Sequence, residues 1–385
     1  MQITDSIKYV GVNDHKIDLF EGQFDVPEGM SYNSYVVIDD KVAVFDTVDQ
    51  NFRDEWLDNI KSVLGDKRVD YLIIQHMEPD HSANIAEFMA VYPEAEIVAT
   101  SKAIAMMPQF FGDGFLPKTI AVGEGDVLSL GNHNLTFVTA PMVHWPEVML
   151  SYDSYTKTLF SADAFGKFGA LDIEANWACE ARRYYFGIVG KFGAQVQALL
   201  KKAAALEIAR ICPLHGPVLE KNLSYYIDLY DTWSAYRPES EGVVINYTSV
   251  YGNTKKAAEL MAKRLEALGE KTVVLNDLAR CDTYEAVEDT FRYDRIIFAT
   301  TTYNGGIFPH MFEFLHHLTE RNFQNRKIGF IENGTWAPMA TKTMKKLLEN
   351  SKNLEFAENE VTIKSAMNNK NIEEIEYLAK EMLSK

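Results

Sequence analysis

Tyr71-Leu72-Ile73-Ile74-Gln75-His76-Met77-Glu78-Pro79-Asp80-His81 joins two kinds of chemistry in one short stretch. Tyr71 to Gln75 is an apolar run with the length and composition of a buried strand. The residues after it include four potential metal ligands: His76, Glu78, Asp80 and His81. A rigid strand that ends in such a loop can aim several side chains at one point.

Three further candidates each follow an apolar, strand-like run. They are His144 in Val143-His144-Trp145-Pro146, Asp163 in Ser161-Ala162-Asp163-Ala164-Phe165-Gly166, and His215 in Pro213-Leu214-His215-Gly216-Pro217. The full set is four histidines and three carboxylates. One histidine beside an apolar strand is usually a packing or surface residue. Seven such residues in this order at strand ends point to a metal site. They are too many for a single tetrahedral zinc ion and suit two ions that share a carboxylate. Imidazole and carboxylate donors without a thiolate suit iron or manganese as well as zinc.

The sequence around these residues reads as strands with occasional helices. Tyr32–Ile38 and Val42–Asp46 flank an Asp39-Asp40 turn and predict a hairpin. Trp56, Ile60 and Val63 share one face of an amphipathic helix. Ala95–Ala99 and Leu135–Val138 read as strands, Met149–Phe160 as a second hairpin, and Arg182–Leu206 as one long helix. Strands with helices on both sides predict an α/β sandwich spanning residues 1–240. The polar stretch Tyr236-Arg237-Pro238-Glu239-Ser240-Glu241-Gly242 marks the expected boundary.

From residue 241 to 385 strands and helices alternate. Val243–Tyr247, Thr272–Leu275, Arg295–Ala299, Lys327–Ile331 and Val361–Ser365 read as strands. Lys256–Leu268, Met311–Arg321, Thr341–Asn350 and Ile372–Ser384 read as helices. The pattern predicts a doubly wound, five-stranded parallel sheet of order 2-1-3-4-5. Its first strand runs into Thr248-Ser249-Val250-Tyr251-Gly252-Asn253-Thr254 and then a helix. Hydroxyls and backbone N–H groups at a helix N-terminus bind phosphate, and without the lysine of a triphosphate loop they fit a monophosphate such as that of FMN. Thr301-Thr302-Tyr303-Asn304-Gly305-Gly306 and Glu332-Asn333-Gly334-Thr335-Trp336 follow the third and fourth strands. Those strand ends surround the crevice where such a sheet takes its ligand. Tyr303 or Trp336 is placed to stack on a flavin ring.

Composition narrows the function classes. The 385 residues carry a formal net charge of −17 and no cluster of Lys and Arg, which argues against nucleic acid as a partner. No apolar stretch is long enough for a membrane span, and no basic start with an apolar run marks a secretory signal. The three cysteines, Cys179, Cys212 and Cys281, form no CxxC pair. That excludes a rubredoxin-type or iron–sulfur site in this chain and fits a reducing, cytoplasmic compartment.

The motif His76-x-Glu78-x-Asp80-His81 resembles the HxHxDH signature of the metallo-β-lactamase superfamily, with Glu78 in place of the second histidine. A lactamase-like αββα domain of this kind followed by a flavodoxin-like domain resembles the flavodiiron proteins, or A-type flavoproteins, over nearly the whole chain. The resemblance implies that His76, Glu78 and His144 bind one iron, that Asp80, His81 and His215 bind the other, and that Asp163 bridges them. The interval from Asp163 to His215 is shorter than the family's, which implies a trimmed segment rather than a lost ligand. The resemblance also implies FMN and two iron ions per chain, and reduction of O2 to water or of NO to N2O. It implies a head-to-tail homodimer, or a dimer of such dimers, that brings each flavin to its partner's iron site. The expected electron donor is a separate protein such as a rubredoxin, or a reduced deazaflavin of the F420 type. Trp145 and Phe165, beside ligands, are expected to exclude water. The competing expectation is a dizinc hydrolase of the lactamase type with an appended flavin domain; the anionic oxygen of Glu78 and the complete flavin loops argue against it.

Overall fold

A computed structural model describes residues 2–384. The chain divides into two compact units. The first comprises residues 1–185 and 194–231, and the second comprises residues 186–193 and 232–385. The second unit therefore starts a few residues earlier than the expected boundary and also takes in a short excursion from the first half.

The first unit is built on two sheets. Strands Ile7–Tyr9, Tyr35–Ile38, Val42–Phe45, Tyr71–Ile73, Glu96–Thr100 and Thr119–Val122 form one in that order. Strands Val127–Ser129, Asn134–Thr139, Met149–Asp153, Thr158–Phe160 and Arg210–Cys212 form the other. Both expected hairpins are present: Tyr35 pairs with Phe45 and Ser151 with Phe160, each antiparallel. Alternate residues of both sheets meet in one apolar core, among them Val37, Phe45, Ile73, Phe137, Met149 and Phe160. Phe45 and Phe160 stack with ring centroids 4.0 Å apart. The helix Arg53–Leu64 buries Trp56, Ile60 and Leu64, so the stripe continues into Leu64 where Val63 was expected.

The helix expected over Arg182–Leu206 is broken. Trp177–Tyr184 is α-helical, Tyr185–Val189 forms a wide π turn, Gly190–Phe192 a 3-10 turn, and Gly193–Ala203 resumes the α-helix. Gly187, Gly190 and Gly193 fall in this stretch, and glycine weakens a helix interior. Gly193 is also required by packing, because a Cβ there would lie 2.4 Å from the Ser234 carbonyl oxygen.

The second unit is a parallel sheet in the order Val273–Asp277, Ser240–Tyr247, Tyr293–Tyr303, Lys327–Asn333, then a fifth position. The expected order 2-1-3-4-5 is the observed one. The fifth position is split into Glu355–Phe356 and Val361–Ile363, both paired to Lys327–Asn333. The helix Thr283–Arg292 lies between the second and third strands, where the alternation read from the sequence had left a gap. No helix among the described residues is long and apolar enough to cross a membrane.

Candidate metal centre and flavin loops

The strand Tyr71–Ile73 delivers the metal loop as its sequence suggested. Two backbone N–H groups at the turn are held by Asp46: its Oδ1 accepts from Gln75 N at 2.8 Å and from His76 N at 3.3 Å. Burial pushes the Asp46 carboxyl up to about 7 despite these bonds. Pro79 then starts a one-turn helix, Pro79–Ser82, which places Asp80 and His81 side by side.

All seven expected ligands converge, and they sort into two groups. In the first, His76 Nε2 lies 3.2 Å from Glu78 Oε2 and 3.3 Å from His144 Nε2, and His144 Nε2 lies 3.1 Å from Glu78 Oε2. In the second, His81 Nε2 lies 3.0 Å from His215 Nε2, and each is 3.3 Å from Asp80 Oδ2. Asp163 stands between them. Its Oδ2 is 3.1 Å from His144 Nε2 and 3.4 Å from His76 Nε2, while its Oδ1 is 3.3 Å from His81 Nε2. Each carboxylate oxygen of one residue thus faces a different group.

The donor chemistry fits two metal ions. Ligand atoms about 2.1 Å from a common ion are about 3.0–3.4 Å from one another, the spacing seen here. Both oxygens of Asp80 and Oδ1 of Asp163 are buried without a hydrogen-bond partner, an arrangement that costs stability unless a cation meets them. Burial pushes the Asp80 carboxyl up to about 7, with the negative charges of Glu78 and Asp163 adding to it. Burial also works against Glu78, but hydrogen bonds from His144 and His76 hold its carboxyl well below the usual range.

Several residues around the centre lie outside the set of expected ligands. Glu147 Oε1 lies 2.9 Å from His76 Nδ1, and the Ser31 carbonyl oxygen lies 2.7 Å from His215 Nδ1. Tyr184 is buried with its ring 5.5 Å from that of His215. Burial first, then the charges of Asp163, Glu78 and Asp80, hold its phenol well above the usual range, so it keeps its proton. Phe20 and Tyr32 also pack edge-on to His215. Of the two aromatics expected to exclude water, Trp145 packs edge-on against His76 at 5.3 Å, and Phe165 is buried against Tyr230.

In the second unit the three expected loops lie at the C-terminal ends of adjacent parallel strands. Thr248 Oγ1 is 2.6 Å from Thr300 Oγ1, and Thr254 Oγ1 is 3.2 Å from Thr301 Oγ1, so hydroxyls of the first loop and the third strand interlock. Ser249 Oγ accepts from Gly252 N at 3.0 Å, folding the loop back on itself. Gly252, at φ +87°, precedes the helix Asn253–Ala267, whose first N–H groups receive no side-chain cap. A Cβ at Gly252 or Gly305 would meet nothing within 4 Å, so these loops leave open ground for a ligand. Asn304 and Gly305 both have positive φ, which folds Tyr303–Gly306 into a tight hairpin. Thr302 Oγ1 accepts from Met339 N at 2.9 Å, and Asn333 Nδ2 donates to the Ser365 carbonyl oxygen at 2.9 Å. Ser365, also 2.8 Å from Thr335 Oγ1, belongs to this rim and was not among the expected residues. Tyr251 and Trp336 are 93% and 81% exposed, large aromatics with no protein surface over them.

Comparison with known proteins supports both halves. Residues 30–216 match the ODP family beta lactamase, and residues 244–363 match a flavodoxin domain. The diflavin flavoprotein A 1 of Synechocystis is 34% identical over 279 residues, 70% of this chain; the chain spans about half, 48%, of that relative's length. The anaerobic nitric oxide reductase flavorubredoxin of Salmonella arizonae is 29% identical over 349 residues, covering 87% of this chain and 72% of the relative. The solved structure of rubredoxin oxygen:oxidoreductase from the anaerobe Desulfovibrio gigas superposes with a TM-score of 0.92 at 27% identity, over 99% of this chain and 97% of that one. A lactamase-like unit that gathers six candidate ligands around one shared aspartate, followed by a flavodoxin-like unit, makes the chain similar to the flavodiiron proteins along its whole length.

Proposed function

We propose that this chain is a flavodiiron oxidoreductase that holds FMN in its second unit and two iron ions in its first, and reduces O2 or NO with electrons from an external donor. The observation that carries the reading is Asp163, whose two oxygens each face a separate three-residue ligand group. His76, Glu78 and His144 would hold one iron, and Asp80, His81 and His215 the other. Ser249, Thr254 and the start of Asn253–Ala267 would hold the phosphate, and Tyr303 or Trp336 would stack on the flavin ring.

With both groups bound, the metals and the flavin would supply the redox chemistry, in which O2 takes four electrons and four protons to give two waters, and two NO take two of each to give N2O and water. The chain's own residues do the rest. Asp163 fixes the separation of the two ligand groups. Phe20, Tyr32 and Trp145 wall the pocket with aromatic rings, which limits water. Tyr184, kept protonated by burial and by three nearby carboxylates, would keep a phenol hydrogen available beside His215.

The ligand set is common to both chemistries, so preference between O2 and NO belongs to the pocket wall. A rubredoxin or a reduced deazaflavin is the proposed donor, a head-to-tail dimer the proposed working unit, and the cytoplasm the proposed site of action. The test is anaerobic stopped-flow on reduced protein shown to contain two irons per chain. Flavin reoxidation by O2 without hydrogen peroxide supports oxygen reduction, and turnover with NO to N2O supports nitric oxide reduction. Zinc in the site, with neither oxidant reoxidising the flavin, would return the dizinc hydrolase.

A further inference from the structure

The two ligand groups are alike in their inner members. Each offers two imidazoles, one carboxylate of its own and one oxygen of Asp163. What differs is the next layer outward. His76 Nδ1 meets the Glu147 carboxylate at 2.9 Å. His215 Nδ1 meets only a neutral carbonyl, that of Ser31, at 2.7 Å. His81 Nδ1 is buried with no hydrogen-bond partner.

Glu147 is built to act on His76. Its side chain is fully buried. Oε1 accepts from both His76 Nδ1 and Met77 N, each at 2.9 Å, while Oε2 has no partner. Its main-chain carbonyl is tied to Thr100 Oγ1 at 3.0 Å, so the residue cannot swing away freely. Among the described residues no Lys or Arg pairs with it, so its charge acts on the imidazole. A carboxylate only accepts, so the hydrogen sits on His76 Nδ1 and the lone pair of Nε2 faces the ligand group. Hydrogen bonding to an anion also makes the imidazole a stronger donor, and outer partners of this kind change metal affinity by about ten- to a hundred-fold.

We propose that Glu147 is the positioning residue that makes the His76–Glu78–His144 pocket the tighter of the two, so that metal fills it before the Asp80–His81–His215 pocket. The inference rests on the reading of this cluster as a two-metal centre. It predicts stepwise loading from inner ligand sets that would otherwise bind alike.

The experiment strips the full-length protein of metal and titrates it with Co2+, following ligand-field absorption and heat. Wild type should show two distinct steps. Glu147→Gln keeps the shape and an acceptor oxygen but removes the charge, and should weaken the tighter step about ten- to a hundred-fold. The second step should stay within about threefold, which also shows that the variant is folded. His81→Ala should do the converse, weakening the looser step alone. Two equal steps in wild type, or a Glu147→Gln protein that binds both ions like wild type or weakens both equally, overturn the role of Glu147. Failure of wild type to bind two Co2+ ions would overturn the metal-centre reading itself.

Discussion

At the scale of single residues, the centre depends on one side chain more than on any other. Asp163 is buried and gives one oxygen to each ligand group, so its loss disturbs both pockets together. Asp163→Asn keeps the shape but removes the shared charge. The expected outcome is less than one iron per chain by metal analysis and at least a roughly hundred-fold loss of turnover, with FMN content unchanged. Glu78 makes a different prediction. It is the position at which this loop departs from the HxHxDH pattern, and Glu78→His restores that pattern and turns the group with His76 and His144 into three imidazoles. Purified Glu78→His should carry a higher ratio of zinc to iron than wild type, read by elemental analysis, because a hard anionic oxygen has been exchanged for a softer nitrogen. Away from the centre, Asp153 gives a stability prediction. Burial raises its carboxyl, but bonds from His133 Nδ1 at 2.9 Å and from Thr156 outweigh it and hold the group below its usual value. A depressed carboxylate contributes stability above its unfolded value, near about pH 4, and that contribution is lost as pH falls through the folded value. Urea unfolding of wild type and Asp153→Asn should therefore differ by a constant amount above about pH 4 and converge below it. A gap that persists unchanged into acid would rule out Asp153 ionisation as its source. The seven converging residues were legible in the sequence because they follow apolar runs, a local pattern. Ser31 and Tyr184 were not, since their nearness to His215 arises only when distant segments fold together. Glu147 left one signal, a carboxylate three residues after a ligand histidine.

At the scale of elements, the flavin loops show how a helix start becomes a binding site. The first N–H groups of Asn253–Ala267 lack a side-chain cap and are free to meet an anion, with the Ser249 and Thr254 hydroxyls beside them. Thr254→Val replaces a hydroxyl by a methyl of the same shape. A hydrogen bond to a charged group contributes about 1.5–3 kcal/mol, so FMN affinity should fall about ten- to a hundred-fold, measured by recovery of free-flavin fluorescence. Metal content should be unchanged. Regular elements were the easiest part of the chain to read. Strands of the second unit alternate with helices at short intervals, and their apolar runs are unambiguous. The long helix expected over Arg182–Leu206 was misread for a physical reason: apolar periodicity persists through Tyr185–Val189 while the glycines that follow let the backbone widen and turn. The helix Thr283–Arg292 was missed although Asp282 caps it, accepting from Tyr284 N at 2.7 Å. The strand Tyr293–Tyr303 begins immediately after it, with no turn to mark the join.

At the scale of the whole molecule, the proposed activity needs electrons to pass from flavin to metal, and a chain with two separate compact units raises the question of whose flavin serves whose metal. The head-to-tail dimer implied by family resemblance makes a sharp prediction. Combine a metal-deficient chain, Asp163→Asn, with a flavin-deficient chain, Ser249→Ala/Thr254→Val, by co-expression with two different tags. Neither variant alone should turn over O2 or NO appreciably. In a mixed dimer the metal-deficient chain still carries flavin, and the flavin-deficient chain still carries metal. If each flavin serves the partner's metals, that one combination is competent. Random pairing makes half the dimers mixed, each with one working pair of two, so activity should recover to about a quarter of wild type. Purification through both tags in succession isolates the mixed species and should raise it to about half. If electrons instead stay within one chain, every chain in the mixture lacks one of the two groups, and doubly purified protein should remain inactive while still containing both iron and FMN.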